Sequence, residues 1–165
     1  MPFQPVAGLH GSDIPAASGL RTVRDPYGGA EVYVVPAIRP DWAILHVHEA
    51  DAQGNARIYG SVFWDRLMSR AARGVILTAE RIVPTAALAR QPELTVIPGL
   101  LVRAVVAAPG GARPCSCAPD YDVDRAGVEA YLAACGDPAA LAAYLAAEDG
   151  ALRGEPAPVG GSVAQ

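Results

Sequence analysis

From Glu31 onward, short runs of apolar and β-branched residues alternate with stretches whose apolar groups recur at helical spacing. EVYVVPAI (31–38) and WAILHVH (42–48), bounded by Pro36, Pro40 and Asp41, are predicted strands, and ARIYG (56–60) after the Gly54-Asn55 turn is a third. In VFWDRLMSRAAR (62–73) Phe63, Leu67 and Ala71 share a helical face, with Trp64 and Met68 beside them. This spacing predicts a helix packed on a sheet, with Gly74 as its C-terminal cap. GVILTAE (74–80) reads as a strand buried on both faces. A short helix near 84–90 follows, then strands near 94–97 and 101–107 and a Pro/Gly-rich loop over 109–119. Asp124 and Asp137-Pro138 start two Ala-rich helices, through an acidic N-cap and a proline at the first helical position. Strands alternating with helices define an α/β fold with an open, mostly parallel sheet, whose ligands gather at the carboxyl ends of the strands.

Two regions break the alternation. Pro2, Pro5, Gly8, Gly11, Pro15, Gly19, Pro26, Gly28 and Gly29 punctuate the first thirty residues so densely that no regular element of any length is expected there. After Gly150, GEPAPVGGSVAQ reads as a disordered tail, dividing the chain into a domain over 1–149 and a tail over 150–165.

Composition narrows the function class. Hydrophobic residues make up 52% of the 165, which suits a globular core rather than a disordered chain. The 33 alanines imply thin packing layers. All 13 basic residues are Arg, scattered along a chain of net charge -4. No basic patch marks a nucleic-acid or anionic-membrane surface, so neither is expected as a partner. Cys115, Cys117 and Cys135 make no disulfide framework. The start MPFQPVAGLHGSD lacks the features of a signal peptide, and Pro98, Gly99 and Arg103 interrupt the longest apolar stretch. A soluble, cytoplasmic protein is the expectation.

The strongest local signal is HVHEADAQGN (46–55), where a strand ends in Ala50-Asp51 and Gly54-Asn55 turns tightly. Asp51 and Asn55 either border a site at the strand end or hydrogen-bond their own backbone as a structural turn. His46 and His48 share one face of a strand, but zinc needs a third or fourth ligand. His10 is remote and the cysteines are spaced C-x-C, so no metal site is assigned. DYDVDRAGVEAY (120–131) has acids at the first, third and fifth positions of a calcium loop, but Arg125 and Tyr131 stand at its strictest positions. A helix N-terminus fits better. Glu80, after GVILTA, either projects into a cleft or is a first-turn helix acid beside Arg81. Nucleotide-binding glycine loops and a G-x-S-x-G elbow are absent from the sequence, and Gly110-Gly111 alone does not make a phosphate cradle.

In order, the blocks MPFQPVAGLHGSD, VVPAIRPDWAILHVHEADAQGNARIYG, AARGVILTAERIV, IPG, VRAVVAAPGGARP and PDYDVD resemble the A (alpha) subunit of family I CoA-transferases, closest to the glutaconate type. The resemblance covers residues 1 to about 135. It implies an open α/β fold shared with sugar-phosphate isomerases and lacking the usual N-terminal half, with its glycine-rich G-x-G-G-F turn. It also implies a partner, the CoA-transferase B (beta) subunit. In this chemistry the partner's Glu attacks an acyl-CoA thioester, and CoA passes through a glutamyl thioester to a second carboxylic acid. The CoA thioester is then a substrate, with no permanently bound cofactor. No Ser-Glu-Asn-Gly-like motif occurs here, so Glu80 does not inherit the nucleophile's role. Asp51, Gly54, Asn55, Glu80, Pro98 and Gly99 match family positions and are expected to shape the site or an interface. Ala7 stands where relatives commonly place an Arg that meets a carboxylate. Two alternatives remain open: a hydrolase opening rings of CoA thioesters, whose key acid would lie upstream of Met1, and a non-catalytic remnant or interaction module.

Overall fold

The computed structural model describes residues 1–152. In chain order its elements are β1 (Phe3–Val6), α1 (Ile14–Ala17), β2 (Arg21–Arg24), β3 (Glu31–Pro36), β4 (Trp42–Ala50), β5 (Ala56–Arg57), α2 (Asp65–Ala71), β6 (Gly74–Ile82), α3 (Thr85–Ala89), β7 (Val102–Ala107), α4 (Arg125–Ala134) and α5 (Pro138–Leu152). The tail expected from residue 150 lies, from 153 on, outside the described residues. No described helix is long and apolar enough to cross a membrane.

The fold is α/β, built on a mixed, mostly parallel sheet ordered β5-β4-β6-β7. β4, β6 and β7 run parallel, and the two-residue β5 pairs antiparallel with β4. Adjacent strands align Ala43 with Val75, Leu45 with Leu77 and Val47 with Ala79, and these six residues are buried together. Ala50, Ala56 and Ile97 complete the core cluster. The alternate positions point to the other face, where Ile76 and Thr78 are only half-buried, so β6 is packed on one face rather than both.

On that second face Ile44 is 68% exposed although it sits in a central strand. The contrast with its neighbour is testable. Ile44→Thr is expected to change unfolding free energy by less than ~0.5 kcal/mol, because it uncovers nothing already buried. Leu45→Ala is expected to cost about 2–5 kcal/mol, through lost transfer energy and a cavity. Urea unfolding of both variants checks the pair, and equal costs would refute the assignment of faces.

Several sequence expectations are corrected. The first thirty residues do form regular structure: β1 and β2 flank β3 in a separate antiparallel sheet ordered β1-β3-β2. Pro5 is tolerated because β1 is an edge strand, where a missing N–H costs no ladder bond. EVYVVP therefore belongs to this small sheet, not to the parallel one. ARIYG contributes only Ala56–Arg57. Residues 92–94 form a 3-10 turn rather than opening a strand, and Ile97 makes only an isolated bridge to Ala56. The helix expected over 62–73 shortens to α2, ends with Ala72 in an extended conformation, and leaves Phe63, Trp64, Leu67 and Met68 exposed. Gly74 is no cap. It opens β6 against the Trp42 ring, where an added Cβ would lie 2.8 Å from Cζ3.

Candidate functional site

Two hydrogen-bonded knots sit at the carboxyl ends of the central strands. The first follows β4. Asp51 is fully buried, and its Oδ1 accepts from the backbone N–H groups of Gln53 and Asn55, both at 2.9 Å. Its Oδ2 accepts from the Asn55 side-chain amide at 3.0 Å. The Asn55 Oδ1 in turn accepts from the Gly99 N–H at 3.0 Å, tying the turn to the Pro98-Gly99 segment 44 residues away. Gly54 takes φ +85° and faces Val102, which a Cβ would meet at 2.6 Å. Burial works against ionisation of Asp51, but the donors from Asn55, Thr85 and Gln53 prevail and hold its carboxyl below the usual range. Asp51, Gly54, Asn55, Pro98 and Gly99 are therefore brought together as one rigid turn assembly.

Glu80 stands apart from them, in the second knot. It lies near the end of β6 on the same face as His46 and Thr78, which oppose each other in the strand register. Its Oε1 contacts His46 Nε2 at 2.7 Å and accepts from the Tyr121 hydroxyl. Its Oε2 accepts from the Gly110 N–H at 2.7 Å. His46 Nδ1 is also engaged, 2.9 Å from Thr78 Oγ1. Burial favours the neutral acid, yet the bonds from Tyr121, Gly110 and His46 outweigh it and keep the Glu80 carboxyl below its ordinary value. Tyr121 is pushed up to about 12 by burial and by the adjoining carboxylate, so it stays a phenol donor at neutral pH. The knot fixes the loop after β7, because Tyr121 also accepts from the Ala112 N–H at 3.0 Å. Glu80 is thus a strand residue, not a first-turn helix acid.

Sequence reasoning missed His46, Gly110 and Tyr121 as partners of Glu80. Their separations of 34, 30 and 41 residues leave no local signal, although the strand parity of His46 pointed to this face. The acids of the rejected calcium loop are used separately. Asp120 pairs with Arg81 at 2.7 Å, and Asp124 caps α4 by accepting from the Gly127 N–H at 3.0 Å.

A cavity of about 360 Å³ opens beside the second knot, lined by His46, His48, Tyr59, Phe63, Cys117 and Ala118 among others. Phe63 holds φ +40°, an uncommon conformation for a bulky residue, and is largely exposed at this mouth. His48 is fixed by the Tyr59 N–H donating to its Nδ1 at 3.1 Å and by Nε2 donating to the Ala118 carbonyl at 2.7 Å. The ligand atoms of His46, Glu80 and Cys117 all lie within 4.8 Å of one another, as do those of His48, Cys117 and Asp120. The carboxylate and thiol donors that could join the histidines in a ligand set come from β6 and from the loop after β7.

The Coenzyme A transferase family model matches residues 10–108, a span that contains Asp51, the Pro98-Gly99 segment and Glu80. This chain belongs to the coenzyme A transferase family. Within that family it is of the alpha-subunit type. The A subunit of glutaconate CoA-transferase from Acidaminococcus fermentans is 32% identical over 148 residues, covering 79% of this chain and 46% of the relative. The cholesterol ring-cleaving hydrolase IpdA subunit of Mycobacterium tuberculosis is 38% identical over 135 residues, covering 76% of this chain and 46% of the relative. The crystal structure of the Acidaminococcus glutaconate CoA-transferase superposes with a TM-score of 0.83 at 29% identity, over 88% of this chain and 51% of that one. The decarboxylase AibA/AibB superposes with a TM-score of 0.77 at 34% identity, over 88% of this chain and 53% of that one. This CoA-transferase chain therefore spans about half the length of these relatives.

Proposed function

We propose that this chain supports transfer of CoA between an acyl-CoA and a carboxylic acid, together with a B subunit that carries the nucleophilic Glu. The family match, together with the likeness to the A subunit of glutaconate CoA-transferase, carries this reading. In the proposed reaction the partner's carboxylate attacks the thioester carbonyl, the C–S bond breaks, and CoA leaves as the thiolate. The thiolate then attacks the glutamyl carbonyl of the mixed anhydride and releases the first acid. A second carboxylate reverses both steps and takes CoA away. Overall one thioester is exchanged for another, and the covalent intermediates divide that exchange into separate, easier steps.

The chain's own part is positional. Both oxygens of Glu80 are occupied by donors, which leaves it unsuited to attack a thioester but able to hold the loop over 108–121. Asp51, Gly54, Asn55, Pro98 and Gly99 anchor the neighbouring turn, and the two knots together set the rim of a site at the strand ends. The exposed Trp42, Ile44 and edge strand β7 offer apolar surface and free backbone to the further polypeptide such a site requires.

The test is co-expression with an adjacently encoded B subunit, followed by an exchange assay using isotope-labelled carboxylic acid. Label is expected in the CoA thioester with no rise in free thiol. Absence of both a copurifying complex and exchange would sink the proposal. A second reading, ring-opening hydrolysis of a CoA thioester, draws on the 38% identity to a protein named a hydrolase. In the same assay it would consume the thioester with no acceptor acid present.

A further inference from the structure

Where β4, β6 and the loop after β7 meet, the chain gathers an imidazole, a carboxylate and a thiol, none of which takes part in the covalent steps proposed for CoA transfer. We propose that His46, Glu80 and Cys117 form a binding site for one zinc-like divalent cation, with a fourth coordination position open to the adjoining cavity. The donor set selects the class of ion. Nitrogen, sulfur and one carboxylate oxygen suit zinc and its borderline neighbours, whereas calcium and magnesium require oxygen cages.

Geometry supports this trio. Its ligand atoms lie within 4.8 Å of one another, and tetrahedral zinc needs donors about 3.3–3.6 Å apart, so the wider pairs close by at most on the order of 1 Å while His46 Nε2 and Glu80 Oε1, 2.7 Å apart, spread by somewhat less. Outer partners are already in place. His46 Nδ1 lies 2.9 Å from Thr78 Oγ1, which can accept an N–H from it and leave the Nε2 lone pair free for the ion. Glu80 Oε2 is held by the Gly110 N–H, and Oε1, which accepts from the Tyr121 hydroxyl, has a second lone pair to offer the ion once His46 Nε2 gives up its proton. The cavity of about 360 Å³, which both His46 and Cys117 line, supplies access and the open position.

The overlapping trio of His48, Cys117 and Asp120 fails the same test. His48 Nδ1 accepts the Tyr59 N–H, so Nε2 carries the proton and donates it to the Ala118 carbonyl. Asp120 is engaged by Arg81 at 2.7 Å. Cys117 therefore belongs with His46 and Glu80.

Binding substitutes the ion for protons. The hydrogen bond between His46 Nε2 and Glu80 Oε1, 2.7 Å long, opens to admit it, and the imidazole proton moves from Nε2 to Nδ1. The Cys117 S–H bond breaks, its electron pair goes to the metal, and the proton leaves to solvent. Thiol and imidazole must each offer a lone pair free of a proton to ligate, so affinity falls as the solution becomes acidic.

The experiment titrates the full chain with Zn²⁺ by calorimetry in two buffers of different ionisation heat, and with Co²⁺ by absorption. One ion per chain, release of one proton at neutral pH and a thiolate-to-cobalt charge-transfer band are expected. Cys117→Ser should weaken binding by about 100-fold or more, while Cys115→Ser and Cys135→Ser leave it unchanged. No cobalt–thiolate band, equal binding by Cys117→Ser, or loss of the band in Cys115→Ser would each overturn the site. If Cys117→Ser does not fold, the proton count and cobalt band of the unsubstituted chain decide the matter. Neither readout depends on CoA exchange, so this site and the proposed activity stand or fall separately.

Discussion

Glu80→Ala is expected to lower the unfolding free energy by about 3 kcal/mol near neutral pH and to release the loop over 108–121. The carboxylate is 9% exposed and holds three partners, so its removal orphans several polar groups at once. Tyr121 loses its acceptor, the Gly110 N–H is left unmet, and His46 Nε2 faces an empty space. A charge-assisted hydrogen bond contributes about 1.5–3 kcal/mol, and a partner stranded in a buried site costs its desolvation besides. Tyr121→Phe should cost less, about 1–2 kcal/mol, because Glu80 keeps His46 and Gly110. Hydrogen exchange at Gly110 and Ala112 would report the loop directly, and rates unchanged in Glu80→Ala would refute its anchoring role.

The pH dependence follows from the direction of the shift. The folded-state Glu80 carboxyl is held below its ordinary value of 4.5. Its contribution is therefore complete above that value and is lost as pH falls through the lower, folded-state one. Asp51, also held down, acts in the same sense from 3.8 downward. Urea unfolding of Glu80→Gln and the unsubstituted chain should differ most near neutrality, and the gap should shrink as pH falls below 4.5 and close only below the folded-state value. A gap that widened in acid would reverse the assignment.

The parallel strands β4 and β6 were legible because a nearly continuous apolar run bounded by Pro, Asp and Gly has few other uses. The starts of α4 and α5 were legible too. Asp124 accepts from Gly127, and Asp137 from the Ala139 and Ala140 N–H groups at 3.3 and 3.1 Å. Failures came where tertiary pairing overrides local preference. FQPV and RTVR have weak intrinsic strand character, and only their antiparallel register with β3, from Phe3 opposite Pro36 to Arg24 opposite Glu31, makes them strands. The helical stripe of Phe63, Leu67 and Ala71, with Trp64 and Met68 beside it, suggested packing on a sheet, but an amphipathic pattern cannot say whether the surface that covers it belongs to the same chain. The Asp51 turn was readable from residue types at short spacing. The Glu80 knot was not, since the parallel register placing His46 beside Thr78 carries no mark in either segment alone.

Gly99→Ala should be the most damaging glycine-to-alanine change among the described residues. An added Cβ would stand 2.2 Å from the Gln53 carbonyl oxygen, 3.0 Å from its carbon and 3.2 Å from the Asn55 nitrogen. All three are backbone atoms of the Asp51 turn, so no side-chain rotation relieves the overlap. Neither wall can retreat cheaply. Asp51 clamps the Gln53 and Asn55 N–H groups, and the Gly99 N–H is itself bonded to Asn55 Oδ1. A cost of about 4 kcal/mol or more is expected, large enough for the variant to be recovered partly unfolded. Two other glycines separate this crowding from backbone strain. Gly60 takes φ +84° with open space around it, so Gly60→Ala should lose only the left-handed penalty of about 1–2 kcal/mol. Gly54 adds to a similar φ a Cβ contact of 2.6 Å with Val102, a side chain with some freedom to shift, so Gly54→Ala should fall between the two. Urea midpoints in the order Gly60→Ala, Gly54→Ala, Gly99→Ala, from mildest to worst, would establish that the Asp51 turn and the Pro98-Gly99 segment behave as one solid body. If Gly99→Ala proved as mild as Gly60→Ala, the two segments would be separable, and residues 51–55 could not serve as a fixed rim for a site at the strand ends.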